Sequence, residues 1–168
     1  SKPKTVITDE AIEKKVSSQK SADKYSEDCK KVIIQARDAG LNIRPLLNPA
    51  FTKGQLSALI SAMHKGVNVT AFADPKIPED YMHFCTRVER FGYNSSFVAR
   101  KQLNPAQRVQ IIVGLVNGVD VAKYADKNIP ATEMEQIRIR MANKFWGENS
   151  LITDNANNTI VSFKERFD

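Results

Sequence analysis

Thiols and imidazoles are nearly absent from this sequence: Cys29, Cys85, His64 and His83 are the full complement. Two cysteines so far apart provide neither a disulfide framework nor a zinc site. Each falls inside a predicted helix, which reads as a buried thiol in a reducing cytoplasm. The histidines stand near the end of one predicted helix and the start of the next, and read as surface residues rather than a joint ligand or acid–base pair. No apolar run reaches 18 residues, so no membrane span is expected. The opening SKPKTVITDEAIEKK lacks the apolar stretch of a secretory signal, and a cytoplasmic location is expected. A phosphate-binding loop, a dinucleotide fingerprint, CxxC and His-Glu-x-x-His are all missing. We therefore expect no enzyme, no catalytic residue, no metal and no cofactor.

What the chain has instead is periodicity. Residues 51–76 recur at 103–128, with Gln55/Gln107, Leu59/Ile111, Gly66/Gly118, Val67/Val119, Asn68/Asp120, Val69/Val121, Ala73/Ala125 and Asp74/Asp126 in register. Halving that offset brings in Ile77, Tyr81, Cys85, Gly92, Tyr93, Asn94 and Ala99, so the period is 26. The register extends back through 25–50 and, more weakly, forward through 129–154. Such a period marks a repeat array. The predicted organisation is an N-terminal polar arm or helix over 1–24, five repeats over 25–154, and a C-terminal capping segment over 155–168. At 168 residues and 42% hydrophobic, the chain suits one domain with a core.

Each unit can be read position by position. The first position is apolar: Tyr25, Phe51, Ile77, Leu103, Ile129. The second is Ser26, Thr52, Pro78, Asn104 or Pro130, residues that cap a helix or suit its first turn. Gln55 and Gln107 stand three residues after Thr52 and Asn104, completing capping boxes. Leu56, Leu59, Ile60 and Met63 then follow helical spacing. Gly40, Gly66, Gly92 and Gly118 fall where a left-handed residue ends the helix, followed by an apolar contact at Leu41, Val67, Tyr93 or Val119. On this reading Tyr93 belongs to the core. Asn42, Asn68, Asn94 and Asp120 would cap a second, brief helix anchored by Leu46, Phe72, Val98 and Tyr124. Asp74 and Asp126 read as turn residues, not as paired catalytic carboxylates. The fold expected is all-α: helix–turn–short-helix units stacked as a short α-solenoid.

The ends depart from the pattern. Residues 1–24 hold a fair helix start at Thr8–Asp9–Glu10, with Ile12 and Val16 able to face a core. This segment reads as a loosely attached helix or a partly disordered arm. In the fifth unit Lys144 replaces the glycine, and Phe145 and Trp146 replace the Val–Asn pair. Beyond Leu151, the segment ITDNANNTIVSF suggests either a small β-hairpin or a final helix, with Trp146, Ile160 and Phe163 capping the stack.

The apolar–x–x–x–Gln start, the Ile, and the Gly–Val–Asp–Val–x–x–Tyr–Ala–Asp close of 103–127, with 51–76 near it, resemble short helical repeats of uncharacterised proteins from Gram-positive bacteria and their mobile elements. The match is poor past Lys144. The resemblance implies a helical array in a bacterial cytoplasm and carries over no catalytic residue.

Function is sought on the ridge that the core stripe leaves outside, at positions 7, 11 and 14 of each unit. The ridge reads Lys31-Gln35-Asp38, Ser57-Ser61-His64, His83-Arg87-Arg90, Val109-Val113-Val116 and Glu135-Ile139-Ala142. In the third unit His83, Arg87 and Arg90, joined by Lys65, Arg100 and Lys101, form a candidate basic surface for phosphates or an acidic protein. In the fourth, Val109, Val113 and Val116, with Ile139 beyond, form a candidate interface for the chain's own tail or for a partner, a second copy included. A net charge of +6 with both signs interspersed permits an acidic partner without demanding one. The first reading is a protein-binding scaffold; the alternative is a nucleic-acid-binding module of a mobile element using the basic ridge.

Overall fold

A computed structural model describes residues 6–16 and 24–153, with side chains described over 6–14 and 27–144. Among the described residues the fold is all-α, with no strand. The helices are α1 (Asp9–Val16), α2 (Lys24–Asp38), α3 (Lys53–His64), α4 (Glu79–Arg90), α5 (Pro105–Val116) and α6 (Ala131–Thr153). The chain forms two compact units, Ser1–Arg100 and Lys101–Asp168. The hairpin or final helix expected beyond 154 lies outside the described residues, as do Ile160, Phe163 and the Trp146 side chain expected to cap the stack.

Local chemistry sets the helix boundaries. At α3, Thr52 Oγ1 accepts from the Gln55 N–H at 3.1 Å, while Gln55 Oε1 accepts from the Thr52 N–H at 2.9 Å. Asn104 and Gln107 repeat this at α5, at 2.8 and 2.9 Å, with Pro105 in the first turn. Helix α4 starts differently: Pro78 supplies no side-chain cap, and Glu79 and Asp80 meet the helix dipole. Each of α2–α5 ends at a glycine of positive φ, Gly40 (87), Gly66 (76), Gly92 (87) and Gly118 (73). After α3 the Gly66 N–H donates to Met63 O at 2.9 Å and the Val67 N–H to Ala62 O at 3.0 Å, a Schellman turn that recurs after α2, α4 and α5.

The brief second helix contracts to less than the sequence suggested. It is a single 3₁₀ turn at Arg44–Leu46, Ser95–Phe97 and Val121–Lys123, and plain turns after α3. Its bonds close over three residues, from the Leu46 N–H to Ile43 O at 2.9 Å, Val98 to Ser95 O at 3.0 Å and Tyr124 to Val121 O at 3.1 Å. Its anchors are nevertheless buried as expected: Leu46, Phe72, Val98 and Tyr124.

In the first unit, α1 packs on α2, α2 on α3 and α3 on α4. The described part of the N-terminal segment holds a helix, α1, that docks on α2. Ile12 is fully buried, Arg37 donates to the Ile7 carbonyl at 3.2 Å and pairs with Asp9, and Lys30 pairs with Glu13 at 3.3 Å. The Ile12 side chain dominates, since its burial is worth about 1.5–3 kcal/mol while exposed ion pairs contribute about 0–1 kcal/mol each. The core continues through Ile33, Leu46, Leu56, Leu59, Phe72, Met82 and Val88. Cys29 and Cys85 are buried within it, and burial, with Asp28 second, pushes the Cys29 thiol up.

In the second unit α5 packs on α6 around Ile111, Leu115, Tyr124 and Met134. The Tyr124 hydroxyl donates to Gln110 O at 2.8 Å and lies over Gly114, where any Cβ would collide with it. With Lys144 in place of the glycine, no left-handed residue stops α6, and it runs on to Thr153.

Candidate interaction surfaces

The valine ridge lies on α5, alongside the buried stripe of Ile111, Ile112 and Leu115. Val109 is 55% and Val116 65% exposed, and Val113 between them is half-buried. Spacings of four and three place all three on one helical face. Ile139, on α6 of the same unit, is also exposed at 43%. Isolated exposed valines carry no meaning; a ridge of three is a contiguous apolar stripe.

The basic residues form a smaller group than the sequence suggested. His83, Arg87 and Arg90 are exposed along one face of α4, His83 lying 3.9 Å from Glu79. Lys65 is the exposed C-cap of α3. Arg100 does not stand free: its Nη1 pairs with Asp74 Oδ2 at 2.7 Å, one period back in sequence. The Lys76 backbone N–H and, second, Arg100 hold the Asp74 carboxyl below its usual range. Lys101 is exposed and begins the second unit.

This pairing has a local cause. Asn48, Asp74 and Asp126 each accept from the N–H two residues on, at 2.9, 2.9 and 2.8 Å, so the recurrent aspartates are turn residues. At the same position the third unit has Arg100, which cannot accept. The backbone there turns through Gln102 instead, the one non-glycine of positive φ among the described residues, at 56.

Tyr93 is a correction. It follows the glycine of its Schellman turn, but the residue is 40% exposed, where Val119 in the equivalent place is buried. A phenol ring is too large for the contact a valine makes there, and its hydroxyl favours water. Tyr93 instead walls a cleft of about 550 Å³ at the turn face, together with Asn68, Thr70, Glu89, Asn94 and Ser96. Sequence reading missed this cleft because it treated Asn68 and Asn94 only as caps.

Among the described residues no cluster of three or more His, Cys, Asp or Glu side chains could hold a metal ion. Nor is any helix there long and apolar enough to cross a membrane. No family model, curated protein or solved structure matches the chain.

Proposed function

We propose that the chain is a non-enzymatic helical-repeat scaffold, its 26-residue units stacked as a short α-solenoid, with a protein partner docking on the α5 ridge. The observation that carries this reading is the exposure of Val109 and Val116 on either side of the half-buried Val113, outside the core stripe of their own helix. Side chains that serve the fold recur from unit to unit, whereas the ridge changes character in each, as a surface adapted to a partner does. The resemblance to repeats of Gram-positive bacteria and their mobile elements agrees with a bacterial cytoplasmic setting.

A photoreactive residue placed at Val109 or Val116 tests the ridge directly. Irradiation in a bacterial lysate is expected to give protein adducts at both sites and none at the exposed Lys127. Adducts with the chain itself identify a homodimer. Equal labelling at Lys127, or no adduct at either valine, contradicts the reading.

Exposed Arg87 and Arg90 on one face of α4 favour a second reading, binding of nucleic acid by a mobile-element protein. Binding through those residues would fall steeply with salt, and Arg87→Ala with Arg90→Ala would flatten that slope. A protein that shifts no DNA or RNA at low salt leaves only the first reading.

A further inference from the structure

Helix α1 shows what kind of element one face of α2 accepts. Lys30, Ile34 and Arg37 share that face, at spacings of four and three. Lys30 pairs with Glu13 at 3.3 Å and Arg37 with Asp9, so this is the face that α1 covers. The later residue of α1 pairs with the earlier one of α2, and the two helices run antiparallel. On α1, Asp9, Ile12 and Glu13 share a face in turn, with Ile12 fully buried. A face with an aliphatic between two carboxylates thus meets a face with an aliphatic between two cations. At the places of Lys30, Ile34 and Arg37, α3 carries Leu56, Ile60 and Met63, and none of α3–α6 flanks an aliphatic with two cations there.

Three features make this attachment easy to open. Ile12 is the one buried residue among the described side chains of α1, and a helix of eight residues does not hold its form alone. Asp9 and Glu13 are exposed, so their ion pairs add little. Each half-buried cation also has a carboxylate of its own helix: Glu27 lies 2.7 Å from Lys30, and Asp38 lies 2.9 Å from Arg37. When α1 leaves, neither cation is stranded, and the large penalty for a buried charge without a partner does not arise.

The same features open the face to a longer helix. Helix α2 has 15 residues and α1 has 8, about 22 and 12 Å of helix axis. A helix that matches α2 in length and repeats the pattern of α1 has more than one aliphatic to bury, and its carboxylates take the places of Asp9 and Glu13. The aliphatic centre of the face selects such a helix over a phosphate chain, which would meet only the cations.

We propose that the Lys30–Ile34–Arg37 face docks an acidic amphipathic helix of a partner protein, which displaces α1 as the resident occupant. This goes beyond the scaffold reading and concerns a different surface from the α5 ridge, so either can fail alone.

The test titrates the full chain with an acetylated, amidated fifteen-residue peptide that carries the Asp–x–x–Ile–Glu pattern twice, seven residues apart. A control peptide has lysine at the four acidic places. In wild type the acidic peptide should move the Ile12 methyl resonances, saturably, to the positions of a solvent-exposed isoleucine, and the control should leave them in place. Ile12→Glu empties the face, so its affinity for the acidic peptide should exceed that of wild type by about tenfold or more. Adding Lys30→Ala and Arg37→Ala to Ile12→Glu should weaken binding about tenfold. The proposal is overturned if the Ile12 resonances stay in place at millimolar peptide, if the control displaces α1 as well, or if Ile12→Glu binds no more tightly than wild type. A wild-type chain that sediments as a dimer, with Ile12→Glu a monomer, gives the face to a second copy and overturns the partner assignment. The Ile12 resonances are read on the wild-type chain, so that result holds even if a variant misfolds.

Discussion

Gln55 donates through Nε2 to the Ile77 carbonyl at 2.8 Å, and Gln107 makes the same bond to Ile129 at 2.8 Å. A second bond from each Nε2 reaches Pro75 O at 2.9 Å or Lys127 O at 3.0 Å. The same carboxamide closes the capping box of its own helix through Oε1. One buried side chain thus starts one helix and pins the loop that feeds the next. At this place in the other units Tyr81 donates to Val98 O at 2.6 Å, and Cys29 Sγ lies 3.9 Å from Phe51 O.

Replacing Gln55 by methionine keeps the volume but leaves two loop carbonyls without their donor and the Thr52 N–H without its acceptor. The expected loss is about 2–4 kcal/mol, the sum of a broken cap and unsatisfied buried groups. Urea denaturation measures it; a loss below about 0.5 kcal/mol contradicts the double role.

Gly66→Val and Gly118→Val should each destabilise by about 1–2 kcal/mol, because a β-branched residue is forced to positive φ. Nothing lies within 4 Å of a Cβ at either glycine, so the cost is backbone strain alone. Lys144→Val, on an exposed face inside α6, should cost only about 0.5 kcal/mol. Thermal melts with three equal losses contradict this account of the turns.

Gly114→Ala sets a helix-propensity gain of about 1 kcal/mol against overpacking of about 1–3 kcal/mol. The added methyl would meet the Tyr124 hydroxyl and Val121, and lie 3.1 Å from Val119 Cγ2, so a net loss is expected. Combining it with Tyr124→Phe should recover part of that loss. A Gly114→Ala protein as stable as wild type shows that the site is looser than its geometry.

Burial pushes the Tyr124 phenol up to about 12, with Arg138 acting in the opposite direction. The folded value lies above the unfolded one, about 10. The neutral phenol's contribution is therefore complete below pH about 10 and is lost as pH rises through about 12. Urea midpoints at about pH 9 and 11 should fall more for wild type than for Tyr124→Phe. Parallel falls contradict the assignment.

What the sequence revealed and what it concealed divide along contact range. Gly66 and Gly118 were legible because positive φ selects glycine whatever surrounds it. The Thr52–Gln55 and Asn104–Gln107 boxes were legible because they close within one turn. The bonds that the same glutamines make through Nε2 were not, since they reach loop carbonyls 20 and 22 residues away. Arg100 counted as a free cation until its partner Asp74, one period away in sequence, was in place. Tyr93 shared its position with Val119 but not its burial, because ring size and not register decided its exposure. The surfaces were half legible: the α5 ridge followed from helical spacing, whereas the cleft between the Asn68 and Asn94 turns needed the packing of neighbouring helices.

The central claim, a scaffold whose α5 ridge docks protein, is tested most directly by capture with a tagged chain from a nuclease-treated bacterial lysate. Wild type is compared with Val109→Glu plus Val116→Glu. Both valines are exposed, so the variant should keep its melting temperature within about 2 °C. The account predicts that a defined set of proteins, or untagged copies of this chain, is retained by wild type and lost by the variant. Identical capture by the two, at equal stability, would contradict it.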